Sequence, residues 1–138
     1  MTKKILHLNL YKEHFDQVLA DIKKEEYRKV KEYWVRRLIS FDGKNFDPDS
    51  FSMDEFVCDL SNPTNRHKDL EELMDYFGAS FIPYTHTIFS NGMRKDRPQM
   101  LVEFNGVDIS TGKTEWGAEK DVLCFNIKLG EIVERVRC

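Results

Sequence analysis

The chain reads as an α+β domain, and three observations carry that reading. Its front half holds stretches with helical spacing of apolar residues. Its back half, from Tyr84 on, is a series of short β-branched and apolar runs separated by glycine-containing turns. Its 138 residues are the length of one domain, the commonest size being about 100–150 residues. Together these predict a small β-barrel or curled sheet, spanning residues 1–138, with helices flanking it at the front.

Residues 5–10, Ile-Leu-His-Leu-Asn-Leu, form a short apolar run that predicts a first strand. A helix follows over about 12–21, because Phe15, Val18, Leu19 and Ile22 fall at i, i+3, i+4 and i+7 and share one face. Residues 24–28 fit either state. If extended, Lys24, Glu26 and Arg28 point one way and Glu25 and Tyr27 the other. Residues 33–39 predict a second helix, one edge of which mixes the aromatic Tyr33 and Trp34 with Arg37.

Residues 42–83 look inserted. The stretch opens with turn-rich Asp42-Gly43-Lys44-Asn45 and Asp47-Pro48-Asp49-Ser50. Ser52 with Glu55 three residues on has the spacing of a capping box, and Phe51, Met53, Phe56, Val57 and Leu60 supply an apolar side. Ser61-Asn62-Pro63 breaks that helix. Another is predicted over 67–77, with Leu70, Leu73, Met74 and Phe77 on one face and Gly78 as its stop. Strands are then expected over 84–90, ending at Asn91-Gly92, and over 99–109. The second is read as a hairpin about Asn105-Gly106, a strong turn pair. A turn is expected at 110–113, and a closing hairpin about Gly130 between 122–129 and 132–136.

Composition excludes several functions. The chain is 41% hydrophobic with 10 Phe, enough apolar matter for a core. No stretch nears the roughly 18–20 apolar residues that cross a bilayer, and no signal peptide is expected at the start. Cys58, Cys124 and Cys138 are odd in number and widely spaced, which disfavours a disulfide framework or a zinc ribbon and fits a reduced, cytoplasmic setting. His7, His14, His67 and His86 have no metal-ligand spacing, so no metal is expected. No cofactor is expected either: there is no glycine-rich phosphate loop and no nucleophile elbow.

The net charge is −3, but it is unevenly spread. Residues 23–37 carry seven cations against three anions, and residues 41–82 carry ten anions against three cations. The first segment suits an anion and the second repels nucleic acid. Within the basic segment stands Lys23-Lys24-Glu25-Glu26-Tyr27-Arg28. A charge run is commonly a solvated face. Equally, Glu26 and Arg28 on one side of a strand can wall a pocket, Arg offering a rigid fork to phosphate or a base edge.

Several ordered pieces match a known pattern. Phe15-Asp16 sits in the first helix. Asp21-Ile22-Lys23-Lys24-Glu25-Glu26-Tyr27-Arg28 fits a Gly-x-Lys-x-x-Glu-x-Arg motif, with Asp21 in place of the glycine. Tyr33-Trp34-Val35-Arg36-Arg37-Leu38 follows, then Ile88-Phe89-Ser90-Asn91-Gly92, Met100-Leu101-Val102-Glu103, Gly112-Lys113-Thr114-Glu115-Trp116-Gly117-Ala118, and Ile127-Lys128-Leu129-Gly130-Glu131-Ile132. In these pieces, over about 4–40 and 84–136, the chain resembles the ASCH domain family of the PUA-like superfamily.

The resemblance implies a PUA-like small β-barrel with flanking helices, carrying an inserted acidic helical segment at about 42–83. It implies a cleft beside the motif that takes RNA or a nucleoside or nucleotide ligand. Lys23, Glu26 and Arg28 carry over as cleft residues, joined by Tyr33, Trp34, Arg37, Asn91, Glu103, Glu115 and Trp116. Trp and Tyr stack on bases, and Arg binds phosphate.

One branch of the superfamily hydrolyses acetylcytidine with a Lys that activates a Thr three residues on. Here Lys23 matches the Lys, but Glu26 occupies the Thr position. Glu26 is not that nucleophile, and the alternative is a hydrolase of acylated nucleosides with Lys23 or Glu26 as base towards water and Glu103 or Glu115 assisting. A second alternative is a protein partner bound through 42–83, which otherwise caps the cleft or decorates the barrel.

Overall fold

The computed structural model describes residues 2–42 and 52–138, without the side chain of Ser52. The expected turns over 43–50, the apolar Phe51 and the capping side chain of Ser52 lie outside the described residues. The architecture is mixed α+β. In order come β1 (Ile5–Asn9), α1 (Lys12–Leu19), β2 (Glu25–Lys29), α2 (Glu32–Leu38), β3 (Ile39–Phe41), α3 (Ser52–Leu60), α4 (His67–Tyr76), β4 (Ala79–Phe81), β5 (His86–Ser90), β6 (Gln99–Thr111), a 3-10 turn (Thr114–Trp116) and β7 (Leu123–Val136). Five strands form one sheet in the order β1-β5-β6-β7-β2, and β3 and β4 form a two-stranded sheet. β1 runs parallel to β5, Leu6 opposite Thr87, and β5 antiparallel to β6, Thr87 opposite Val102. Among the described residues, no helix is long and apolar enough to cross a membrane.

The chain forms two compact units. The first comprises residues 1–26, 83–107 and 127–138, and the second 27–82 and 108–126. The core of the first buries Leu6 and Leu8 of β1, Phe15 and Val18 of α1, Phe89 of β5 and Met100 and Val102 of β6. Of the four residues expected on the buried face of α1, Phe15 and Val18 are buried, Leu19 is partly buried and Ile22 is not. The helix stops at Leu19, and Asp21 takes a left-handed conformation (φ 63°), which a short polar side chain tolerates. Ile22, expected on the buried face, is therefore turned out and is 60% exposed.

The core of the second unit buries Val35 and Leu38 of α2, Met53, Phe56 and Leu60 of α3, and Leu70 and Phe77 at α4. Phe56 is edge-on to Phe41 and to Phe77, with ring centroids 5.2 Å apart in each pair. The described residues 52–77 thus supply much of this core. Leu73 and Met74, expected on the same face as Leu70, are only partly buried. Gly78 ends α4 with φ 63°, as its position predicts. β3 and β4, which bracket the segment, were not expected. Each is three residues long, too short to show alternation. They pair antiparallel, Ile39 opposite Phe81, and the Asp42 amide donates to the Gly78 carbonyl at 2.9 Å.

Two expected hairpins are absent. β6 runs unbroken through Asn105-Gly106, and β7 runs unbroken through Gly130. The expected turn at 110–113 likewise starts later, because β6 continues to Thr111. The glycines serve other ends. Gly106 holds φ 113°, a backbone that L side chains rarely adopt, inside a strand. At Gly130 a Cβ would lie 2.8 Å from Asn105 Nδ2 and 2.9 Å from Glu103 Cβ, so only a missing side chain lets the strands approach.

Gly130→Val should therefore cost about 1–3 kcal/mol in urea unfolding, as overpacking does. Asn105→Gly in that background should restore part of it, whereas an unchanged midpoint in Gly130→Val would contradict the close approach. At α4, the Arg66 backbone amide donates to Asp69 Oδ2 at 2.8 Å. That bond first, and the Arg66 side chain second, hold the Asp69 carboxyl below the ordinary aspartate value. Its contribution to stability is present above the unfolded carboxylate pKa and is lost as pH falls through the lowered folded value. Carbon-detected NMR titration should place Asp69 below the exposed aspartates, and Arg66→Pro, which deletes the amide donor, should bring it up towards them.

Candidate functional site

The motif residues divide between the two units. In the first unit, the Ile22 and Lys23 amides both donate to the Gln17 carbonyl, at 3.0 and 3.1 Å, so the chain leaving α1 is folded back tightly. This turn drives Lys23 inward. Its Nζ lies 3.2 Å from Glu26 Oε1 and 3.0 Å from His14 Nδ1. Only 1% of the Lys23 side chain and 7% of the Glu26 side chain are exposed. The charge run is thus not a solvated face at these two positions. A buried ammonium and carboxylate are tolerable because each compensates the other. The start of β2 is held further by the Leu129 amide, donating to the Lys24 carbonyl at 2.9 Å, and by Lys128 Nζ at 2.7 Å from Glu25 Oε2.

In the second unit, four expected residues form one ladder. The Arg28 guanidinium lies over the Trp34 ring, 4.8 Å from its centroid. Trp34 meets Tyr33 edge-on at 4.8 Å, and the Arg37 guanidinium lies over Tyr33 at 4.3 Å. Arg28 comes from β2, and the other three come from one edge of α2. The edge mixes aromatic and cationic groups, as the spacing of 33, 34 and 37 predicts. Each contact of this kind is worth roughly 0.5–2 kcal/mol, and the ladder holds two rings between two cations.

Arg28 also lines a cleft of about 350 Å³ with Tyr27, Lys29, Gly117, Ala118 and Leu123 among its walls. The loop that closes it is fastened to β2 by Tyr27, whose hydroxyl accepts the Lys113 amide at 3.0 Å. Gly112 makes room for that ring: a Cβ there would lie 2.6 Å from Tyr27 Cε1 and 2.7 Å from the Ala118 Cβ. Lys29 and Glu119 stand 3.9 Å apart on exposed side chains, a weak pair.

The remaining expected residues do other work. Asn91 Nδ2 donates to the Leu10 carbonyl at 3.0 Å, and Glu103 Oε1 accepts the Glu131 amide at 3.0 Å, both in the first unit. Glu115 is exposed on the 3-10 turn, and Trp116 beside it carries the Lys113 ammonium over its ring at 4.3 Å. Sequence reasoning missed Tyr27, Lys29 and Leu123 as cleft residues. Strand alternation set Tyr27 opposite Arg28, and no spacing signal linked Leu123 to β2. It also missed His14, whose place in the first turn of α1 gave no hint of Lys23. Among the described residues, no three His, Cys, Asp or Glu side chains gather as a metal site would need.

Removing one partner of the buried pair leaves an uncompensated charge. Lys23→Met should lose about 3–5 kcal/mol by urea denaturation, and Lys23→Met with Glu26→Leu should recover most of that loss. A double variant no more stable than the single one would show that the pair is not compensating.

Comparison of the chain with protein-family models, with curated proteins and with solved structures finds no match.

Proposed function

We propose that the protein is a nucleic-acid-binding module of the ASCH type, built on a PUA-like barrel, that takes RNA or a modified nucleotide at the cleft beside Arg28. The observation that carries this reading is the Arg28–Trp34–Tyr33–Arg37 ladder, whose Arg28 end lines the cleft. The chemistry suits a nucleotide. Arg28 and Lys29 offer charge to a phosphate, the aromatic faces offer stacking to a base, and Ala118 and Leu123 offer an apolar wall. A volume near 350 Å³ falls at the lower end of the ~300–1,000 Å³ range of small-molecule sites and is of nucleoside size. Lys23 and Glu26 take a structural role in this reading, as a buried pair at the start of β2. So little of either side chain is exposed that neither is open to a substrate, and this favours binding over hydrolysis of an acylated nucleoside.

The test is fluorescence anisotropy with a labelled single-stranded RNA, at low and moderate salt. Arg28→Ala should weaken binding about tenfold or more, as the loss of a charge-assisted contact does. Arg28→Lys should not restore it, since a lysine lacks the planar fork. Tyr33→Ala should weaken binding less, by loss of one stacking face. Equal affinity in wild type and Arg28→Ala would sink the proposal.

A further inference from the structure

The loop between β5 and β6, in the first unit, is the strongest exposed feature that the cleft does not account for. Over residues 93–97 it reads Met-Arg-Lys-Asp-Arg, three cations against one anion in a chain whose net charge is −3. It is anchored rather than loose. The Asn91 amide donates to the Pro98 carbonyl at 3.0 Å, closing the loop at its base. Asn91 Nδ2 donates to the Leu10 carbonyl at 3.0 Å, and the Gly92 amide to Asn9 Oδ1 at 3.1 Å. Arg97 braces the tip from within, its Nη1 donating to the Arg94 carbonyl at 3.0 Å.

These bonds set the loop against the end of β1, where Tyr11 follows Leu10. Tyr11 and Met93 are the most exposed large apolar side chains among the described residues, at 85% each. Tyr11 also occupies the N-cap of α1 and makes no side-chain cap bond. Ser, Thr, Asp or Asn would stabilise the helix there, so the sequence forgoes a cap and displays an aromatic ring instead. Lys12, paired with Asp16 at 2.6 Å, and Arg94, paired with Asp96 at 3.2 Å, keep exposed side chains as well, and exposed pairs of this kind are weak enough to be exchanged for a phosphate.

We propose that this surface is a second contact for single-stranded nucleic acid, with Tyr11 stacking on a base and Arg94 and Lys95 holding the adjoining phosphates. An exposed ring beside cations on a braced scaffold is the arrangement that single strands need: π faces for bases and charge for the backbone. The proposal rests on the nucleic-acid reading of the Arg28 cleft.

The experiment compares two probes: a labelled oligouridine of twelve nucleotides, and uridine monophosphate by calorimetry. Arg94→Ala with Lys95→Ala is the charge variant, Arg97 being kept because it braces the loop. Tyr11→Ala is the stacking variant. The charge variant should weaken oligouridine binding about tenfold and flatten the dependence of log K on log salt by about 1.4, near 0.7 for each lost phosphate contact on a single strand. Tyr11→Ala should weaken it several-fold with little change in that slope. Neither should alter binding of the mononucleotide, which Arg28→Ala should weaken.

Oligouridine binding unchanged in both loop variants but lost in Arg28→Ala overturns the loop proposal and leaves the cleft standing. The reverse pattern supports the loop and overturns the cleft. A silent Tyr11→Ala beside an effective charge variant, with polyglutamate competing as well as oligouridine, overturns the proposal in favour of an acidic protein partner. No binding of oligouridine by wild type at low salt overturns it outright.

Discussion

An ammonium and a carboxylate stripped of water must stay together, and much of the local structure follows from where Lys23 and Glu26 do so. Both are buried, 3.2 Å apart, with His14 against the ammonium. For Lys23 to reach that position, α1 has to stop at Leu19 and the chain has to double back under the Gln17 carbonyl. For Glu26 to meet it, β2 has to begin where it does. Past Glu26 the same strand carries Tyr27, whose hydroxyl takes the Lys113 amide, and Arg28, whose guanidinium lies over Trp34. A buried ion pair is weak support for stability, because desolvation offsets most of the attraction. Its worth here is in registration, since sliding β2 by one residue would leave two charges buried without each other.

The second unit solves a different problem. Its described residues between Tyr27 and Ile82 contain helices of seven to ten residues, too short to hold themselves together in water. They persist because they share aromatic contacts. Phe41, Phe56 and Phe77 meet edge-to-face, and Phe81 meets Phe125 the same way at 6.5 Å. An acidic surface over an aromatic interior is a stable combination when the charges stay in water. On α4, Glu72 stands at helical spacing from Lys68 and Glu71 from the His67 ring, at little gain or cost each.

Helices were the legible part of the sequence. The spacing of Phe15 and Val18, of Met53, Phe56 and Leu60, and of Leu70 and Phe77 identified faces that the fold buries. Strand continuity was not legible, because Asn105-Gly106 and Gly130 look alike whether a chain turns or two strands press together. The distinction lies in what sits opposite, and one sequence does not show that. The site was legible where it is local. Tyr33, Trp34 and Arg37 lie within five residues, and their edge of α2 follows from helical geometry. It was not legible where it is remote: no pattern ties Leu123 or Gly117 to Arg28, and Asn91 and Glu103 gained candidacy from types that also serve as ordinary hydrogen-bonding struts.

The pairing of β3 with β4 has a bearing on how such a chain changes over generations. The segment between them departs and returns through residues that hydrogen-bond to each other, Ile39 facing Phe81 and Asp42 facing Gly78. Lengthening, shortening or replacing what lies between does not by itself pull the two attachment points apart. The closure is local, so the entropy of ordering a longer excursion rises only slowly with its length. What resists exchange is the trio Met53, Phe56 and Leu60, which any replacement would have to match in volume. The segment is therefore a cassette with paired attachment points and a keyed centre. Relatives of this protein would be expected to vary there in length and charge while preserving an apolar helix of similar bulk.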